Sequence, residues 1–188
     1  ALKEFEKLKL EETDPRIIIS YSAPTLNNMG YLYEKMGEHN KAIEQFEKVI
    51  AIKDLRKISP DSYATSLSNL AYSRMKTGNF SNLPDMFFEA LHIRDSLDIK
   101  SAVVFSKIQL GEYYLMKKDT AKSISIFKES YQLANDIKSY YEILRSLKLL
   151  SQIDNQNNLH YSNVYIAVSD SLQKKERATR NKYARIAY

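Results

Sequence analysis

The chain has 188 residues, 44% hydrophobic and 27% charged, with 4 glycines, 4 prolines and no cysteine. Glycine and proline usage this far below average argues against loop-rich, all-β and collagen-like architectures, the missing cysteine excludes disulfides and thiolate chemistry, and no stretch approaches the ~18 uninterrupted apolar residues of a membrane span. The formal net charge is +5, and residues 171–188 account for all of it, with Lys174, Lys175, Arg177, Arg180, Lys182 and Arg185 against the single acid Glu176, which argues against a body-wide basic groove for nucleic acid.

The opening Ala1-Leu2-Lys3-Glu4-Phe5 reads as mid-helix without a start methionine. A fragment or processed form is expected, so the lack of a secretory signal carries little weight. Residues 1–12 read as the second helix of a half repeat. Asp14-Pro15 can open a first full unit over 15–54, as a cap followed by a first-turn proline. Leu26, Met29, Gly30 and Tyr33 share one helical face. A turn follows at Gly37-Glu38-His39-Asn40, then a second stripe of Ala42, Ile43, Phe46, Val49 and Ile50. Pro24 inside the first helix predicts a kink or a later start.

Ser59-Pro60-Asp61 opens a second unit over 59–97. It has Leu67, Leu70 and Ala71, a turn at Gly78-Asn79-Phe80, then Phe87, Ala90 and Leu91. Pro84 fits only near a helix start. Asp98-Ile99-Lys100-Ser101 recurs as Asp136-Ile137-Lys138-Ser139, which predicts a capping residue before a third unit (98–136) and a fourth (137–170). The third has Leu110, Gly111 and Tyr114, then Lys118-Asp119-Thr120, then Ile124, Phe127 and Tyr131. The fourth has Leu147, Leu150 and Ser151, then Asn157-Asn158-Leu159, then Val164, Ala167 and Val168.

Two markers keep one period. Gly30, Ala71, Gly111 and Ser151 are spaced by 41, 40 and 40 residues, and so are Phe46, Phe87, Phe127 and Ala167. A fixed period of this size is the mark of a repeat architecture. The small residue has a physical reason, because helices that cross closely need a site with little side chain, and glycine inside a helix costs about 1 kcal/mol that packing must offset. Gly37 and Gly78 sit where a left-handed terminating residue belongs.

These residues resemble the tetratricopeptide repeat. Leu26, Met29, Gly30, Tyr33, Gly37, Ala42, Phe46 and Val49 match its pattern in order; Leu67, Leu70, Ala71, Gly78, Phe80, Phe87 and Ala90 match in the second unit. Leu110, Gly111, Tyr114, Ser123 and Phe127 match in the third, and Leu147, Leu150 and Ser151 in the fourth. The period exceeds the usual 34, so longer helices are expected. Arg74 replaces an aromatic, Lys118 and Asn158 replace the turn glycine, and the fourth unit is degenerate, as a terminal unit often is. The resemblance implies an all-α, right-handed α-solenoid of helical hairpins over 1–170, followed by a basic helical tail over 171–188.

By the family's pattern the first helices line a concave groove. Its candidates are Asn27, Tyr31 and Lys35; Ser68, Tyr72, Met75 and Lys76; Phe105, Ile108, Glu112 and Met116; and Lys148 and Gln152, with Arg145 beside them. Aromatic anchors with methionines and amides suit a protein or peptide ligand. The residue set does not fit the subgroup that clamps chaperone C-termini.

A second resemblance concerns the tail. Ser169-Asp170-Ser171-Leu172-Gln173, Glu176-Arg177-Ala178 and Arg180 to Ile186 are similar to a segment of Bacteroidetes-type regulators, in which a repeat array precedes a membrane span and an output module. That likeness implies the sensor part of a membrane-associated signalling or transcription regulator. A periplasmic location is favoured on that basis, and any membrane contact would be made only through segments missing from this chain. A free-standing cytoplasmic scaffold, and a nucleic-acid binder acting through the tail, are the alternatives. The tail could also pair with a second copy of the chain.

No His-carboxylate metal spacing, phosphate loop or nucleophile elbow occurs. His39, His92 and His160 are isolated, and no catalytic residue, metal or cofactor is expected. Tyr33 and Tyr114 are expected in the core, and only one of Tyr140 and Tyr141 should be buried.

Overall fold

The computed structural model describes residues 14–186. Helix is the only regular structure among them, and the chain divides into two compact units at Ile99–Lys100. The half repeat expected over 1–12 lies outside the described residues.

In the first unit Asp14 starts helix α1 (Pro15–Lys35) by accepting the Arg16 amide on its carboxylate at 2.9 Å. Proline in the next position loses nothing, since its missing N–H would be unpaired there. The helix continues through Pro24 without a later start. Helix α2 (His39–Ile50) folds back on α1, and a single-turn helix α3 (Leu55–Ile58) leads into α4 (Pro60–Lys76). Ser59 precedes Pro60 as expected, though its hydroxyl donates to Ser62 Oγ at 2.7 Å rather than accepting a helix amide. Helix α5 (Leu83–Ser96) completes the unit with Pro84 in its first turn. Each long helix packs on the next, and α4 touches α1, α2, α3 and α5. The core holds Ile19, Ala23, Val49 and Leu55 in one cluster and Ala42, Phe46 and Leu70 in another.

The second unit has α6 (Lys100–Met116), α7 (Thr120–Asp136), α8 (Tyr140–Ile153) and α9 (Asn158–Ile186), again packed in succession. Val104, Ile108, Phe127, Ala134, Ile143, Leu147, Leu150 and Tyr161 form its core. The long period is spent on first helices of 21, 17 and 17 residues in α1, α4 and α6, and in the first unit on the inserted turn α3.

The small-residue rule has a direct counterpart. A Cβ on Gly30 would stand 2.5 Å from Phe46 Cε1, and one on Gly111 would meet the Phe127 ring, with Cδ1 at 2.8 Å. Both rings are fully buried. The phenyl of each second helix thus lies on the bare backbone of the first. Ala71 and Phe87 are buried with the same spacing. The fourth pair departs: Ser151 is half-buried and Ala167 exposed, so α9 brings no ring to that place.

Helix ends repeat as closely as helix faces. Gly37 and Gly78 take φ of 76° and 79°, and Lys118 takes 63° at the corresponding place. The amide after each bonds a carbonyl five residues back: Glu38 to Tyr33, Asn79 to Arg74 and Asp119 to Tyr114, each at 2.9 Å. This is the terminating motif that favours glycine. Asp98 and Lys138 end α5 and α7 in the same way, at φ 53° and 55°. The look-alike tetrapeptides are therefore out of register. Asp98 corresponds to Lys138, whereas Asp136 is the last residue of α7, and Ser139 takes the N-cap position of α8 without a side-chain bond to it.

Candidate interaction surface

On the first unit the wall of first helices is made by α1 and α4. Asn27 fixes them side by side: its Oδ1 accepts from Ser66 Oγ at 3.3 Å and from Asn69 Nδ2 at 3.4 Å. Asn27 is thus spent on packing. Tyr31 is 40% exposed, and the Lys35 ammonium stands 4.8 Å from its ring centre. The same arrangement recurs one repeat on, with Lys76 5.0 Å from the half-buried Tyr72 ring. Two candidates are not on the wall at all. Ser68 and Met75 are fully buried; the Ser68 hydroxyl donates to the Thr65 carbonyl and accepts from Arg94 Nη1 at 3.3 Å. Helix α4 is packed on so many sides that only a narrow strip of it meets solvent.

On the second unit Ile108 is likewise fully buried, in the core cluster, which corrects its expected place in the groove. Phe105 and Glu112 of α6 are drawn together by Arg145 of α8. The guanidinium lies 5.5 Å from the Phe105 ring centre and pairs with Glu112 Oε2 at 3.0 Å. Met116, Lys148 and Gln152 are exposed. The wall of the second unit is therefore a stacked and ion-paired set, unlike that of the first.

The expected core tyrosines Tyr33 and Tyr114 are only half-buried. Each is covered by a lysine of the following helix, Lys41 at 5.5 Å and Lys122 at 4.1 Å from the ring centres. Arg74, in the corresponding place, pairs with Glu47 of α2 at 2.7 Å instead. Tyr140 and Tyr141 are both exposed, which corrects the expectation that one is buried. Lys175 of α9 reaches the Tyr140 hydroxyl at 3.0 Å, and this bond holds the phenol below its ordinary pKa. Lys174, Arg177 and Arg180 are exposed on α9, and the Lys182 and Arg185 side chains lie outside the described residues.

Three features escaped sequence reasoning. Arg94 is 2% exposed, and its Nη2 donates to Thr65 Oγ1 at 2.8 Å, with Asp61 at 3.8 Å from Nε. Burial pulls its pKa down and Asp61 opposes that pull. Its signal was its place seven residues after Phe87, on the stripe that faces the core. Glu142 is also buried, which raises its pKa against the opposing charge of Arg145. Finally, Asp154 closes the α8–α9 turn, accepting from Lys128 at 3.0 Å and from Asn157 at 3.1 and 3.2 Å. The turn glycine is replaced there by a carboxylate clamp. Lys128, then Asn157, hold the Asp154 carboxyl below its ordinary value, with burial acting against them.

Among the described residues no group of three or more His, Asp or Glu side chains is placed to hold a metal ion, and no helix is long and apolar enough to cross a membrane.

Residues 23–54, from the second half of α1 to the end of the first hairpin, match the family model of the tetratricopeptide repeat. The chain is also similar to the crystal structure of BtubC (BKLC) from P. vanneervenii, with a TM-score of 0.75 at 17% identity, over 92% of this chain and 73% of that one. At that identity the likeness concerns the fold. No curated protein matches the chain. These findings support a tetratricopeptide-repeat array, and repeats of this kind generally serve protein–protein interaction. They lend no support to the likeness between residues 169–186 and signalling regulators.

Proposed function

We infer that this chain is a non-enzymatic recognition module that binds a protein or peptide segment along the wall of α1 and α4. The observation that carries the reading is the exposed Tyr31 of α1 and the half-buried Tyr72 of α4, at equivalent positions of two helices locked together by Asn27. Tyrosine offers a large, rigid contact area at little cost in conformational entropy, and here one ring is presented by each of two adjoining helices. The test is a photo-crosslinking amino acid placed at Tyr31, and separately at Lys48 on α2, in the source cells. A partner trapped only from Tyr31 is then purified and titrated against the Tyr31→Ala/Tyr72→Ala protein. Weakening by about tenfold or more is expected for two central aromatic contacts. An unchanged affinity counts against the reading.

The finer assignment, to the sensor part of a membrane-associated signalling or transcription regulator, rests on the likeness of residues 169–186 alone. The reading frame beyond Tyr188 tests it, since an apolar span followed by an output module is expected there. A nucleic-acid role through the tail predicts steeply salt-dependent binding lost on deleting residues 171–188.

A further inference from the structure

We propose that the α1–α4 wall recognises an acidic extended segment, whose carboxylate side chains sit on Lys35 and Lys76 while its backbone runs over the two tyrosines. This deepens the preceding reading and rests on it. A lysine in the last turn of a helix is favoured by the helix dipole alone, and that accounts for its position. It does not account for a tyrosine four residues earlier, beneath the ammonium, in both helices.

Three observations point to a ligand with negative charge. Neither Lys35 nor Lys76 has a carboxylate partner among the described residues, and each is instead held over a tyrosine ring of the wall, which fixes the two ammonium groups at equivalent places on α1 and α4. The positive field is felt locally, because Lys76 adds to burial in lowering the pKa of His39. The pattern also stops where the chemistry changes: the corresponding residues of α6 are Glu112 and Met116, and that carboxylate is already taken by Arg145. The carbonyl ends of α1 and α4 are themselves slightly negative, so without the two ammonium groups this end of the wall would repel an anion.

Spacing sets the form of the ligand. Helices in direct contact lie about 8–10 Å apart, and an extended chain of polyproline-II form rises about 3.1 Å per residue and brings every third side chain to the same side. Carboxylates three residues apart therefore fall on neighbouring helices, one for each lysine.

The experiment uses three fluorescent dodecapeptide pools, randomised except at every third position, which is Glu, Gln or Lys. Binding is followed by anisotropy at low and at high salt. The Glu pool is expected to bind about five- to tenfold tighter than the Gln pool, by the combined weight of two exposed charge pairs, and to lose that advantage near 1 M salt, where the screening length is about 3 Å. Lys35→Gln/Lys76→Gln should bring the Glu pool down to the Gln level, while Lys48→Gln/Lys53→Gln, at exposed lysines off the wall, should change nothing. Equal binding of the Glu and Gln pools, or an equal loss in the control variant, overturns the proposal. If the pools bind equally and Tyr31→Ala/Tyr72→Ala abolishes both, the acidic preference is wrong and the binding wall survives. If no pool binds at millimolar protein, both readings fail.

Discussion

Replacing Gly30 with alanine adds one methyl group at a place where three ring carbons of Phe46 already stand, at 2.5, 2.8 and 2.8 Å. Unstrained carbon contacts lie at about 3.5–4.0 Å, so the ring has to retreat by about 1 Å or the two helices have to separate. Phe46 is fully buried, which leaves its ring no solvent side to move into. Overpacking a filled core costs about 1–3 kcal/mol, and displacing a whole ring belongs in the upper half of that range. Alanine in a helix interior returns about 1 kcal/mol relative to glycine. The balance is a loss of about 1–2 kcal/mol, equivalent to a fall in melting temperature of roughly 2–8 °C for a chain of this size. Urea titration followed by circular dichroism measures it directly. A second protein, Gly30→Ala/Phe46→Leu, removes the atoms in the way and should be more stable than the sum of the two single changes. If Gly30→Ala raises the unfolding midpoint, helix propensity has won and the ring-on-backbone account is wrong.

At Gly37 the arithmetic differs, since an added methyl would meet nothing within 4 Å but φ is 76°; Gly37→Ala should cost about 1–2 kcal/mol through backbone strain alone, seen in the same titration. Lys118→Gly works in reverse: relief of left-handed strain, about 1–2 kcal/mol, outweighs the entropy of glycine in the unfolded chain, about 0.5–1 kcal/mol, so a small rise in the urea midpoint is expected. Asp154 links stability to pH. Its carboxyl titrates below the ordinary 3.8 when folded, so its contribution is complete above that value and is lost as pH falls through the lower folded value. The melting-temperature gap between the native protein and Asp154→Ala should hold steady at neutral pH and close in strong acid; a gap that stays unchanged in strong acid contradicts the clamp.

The fold was legible because its central contact is local and periodic. Gly30 and Phe46 lie sixteen residues apart in one hairpin, and the same offset returns at Gly111 and Phe127. The binding wall was legible only in part. Pattern assigns one face to each helix, but α4 touches four neighbours, so Ser68 and Met75 fall inside while Tyr72 and Lys76, on the remaining strip, stay near solvent. Ile108 was lost to the core of α6 for the same kind of reason. Local similarity misled at 98–101 and 136–139, where four matching letters carry different backbone roles. What ends a helix is a residue's φ, and Asp98, Lys118 and Lys138 adopt the left-handed value although none is a glycine. Arg94 and the Asp154 clamp depend on which helices become neighbours, and single-helix patterning holds no record of that.

The ring-on-glycine contact has a bearing on how such a chain could be lengthened. Both halves of the fit reside in one stretch of about forty residues, so copying that stretch copies the complete fastening, and no compensating change is required in the rest of the gene. A tandem duplication would begin with its inner joint already made, leaving selection to work only on the seam between the old copy and the new.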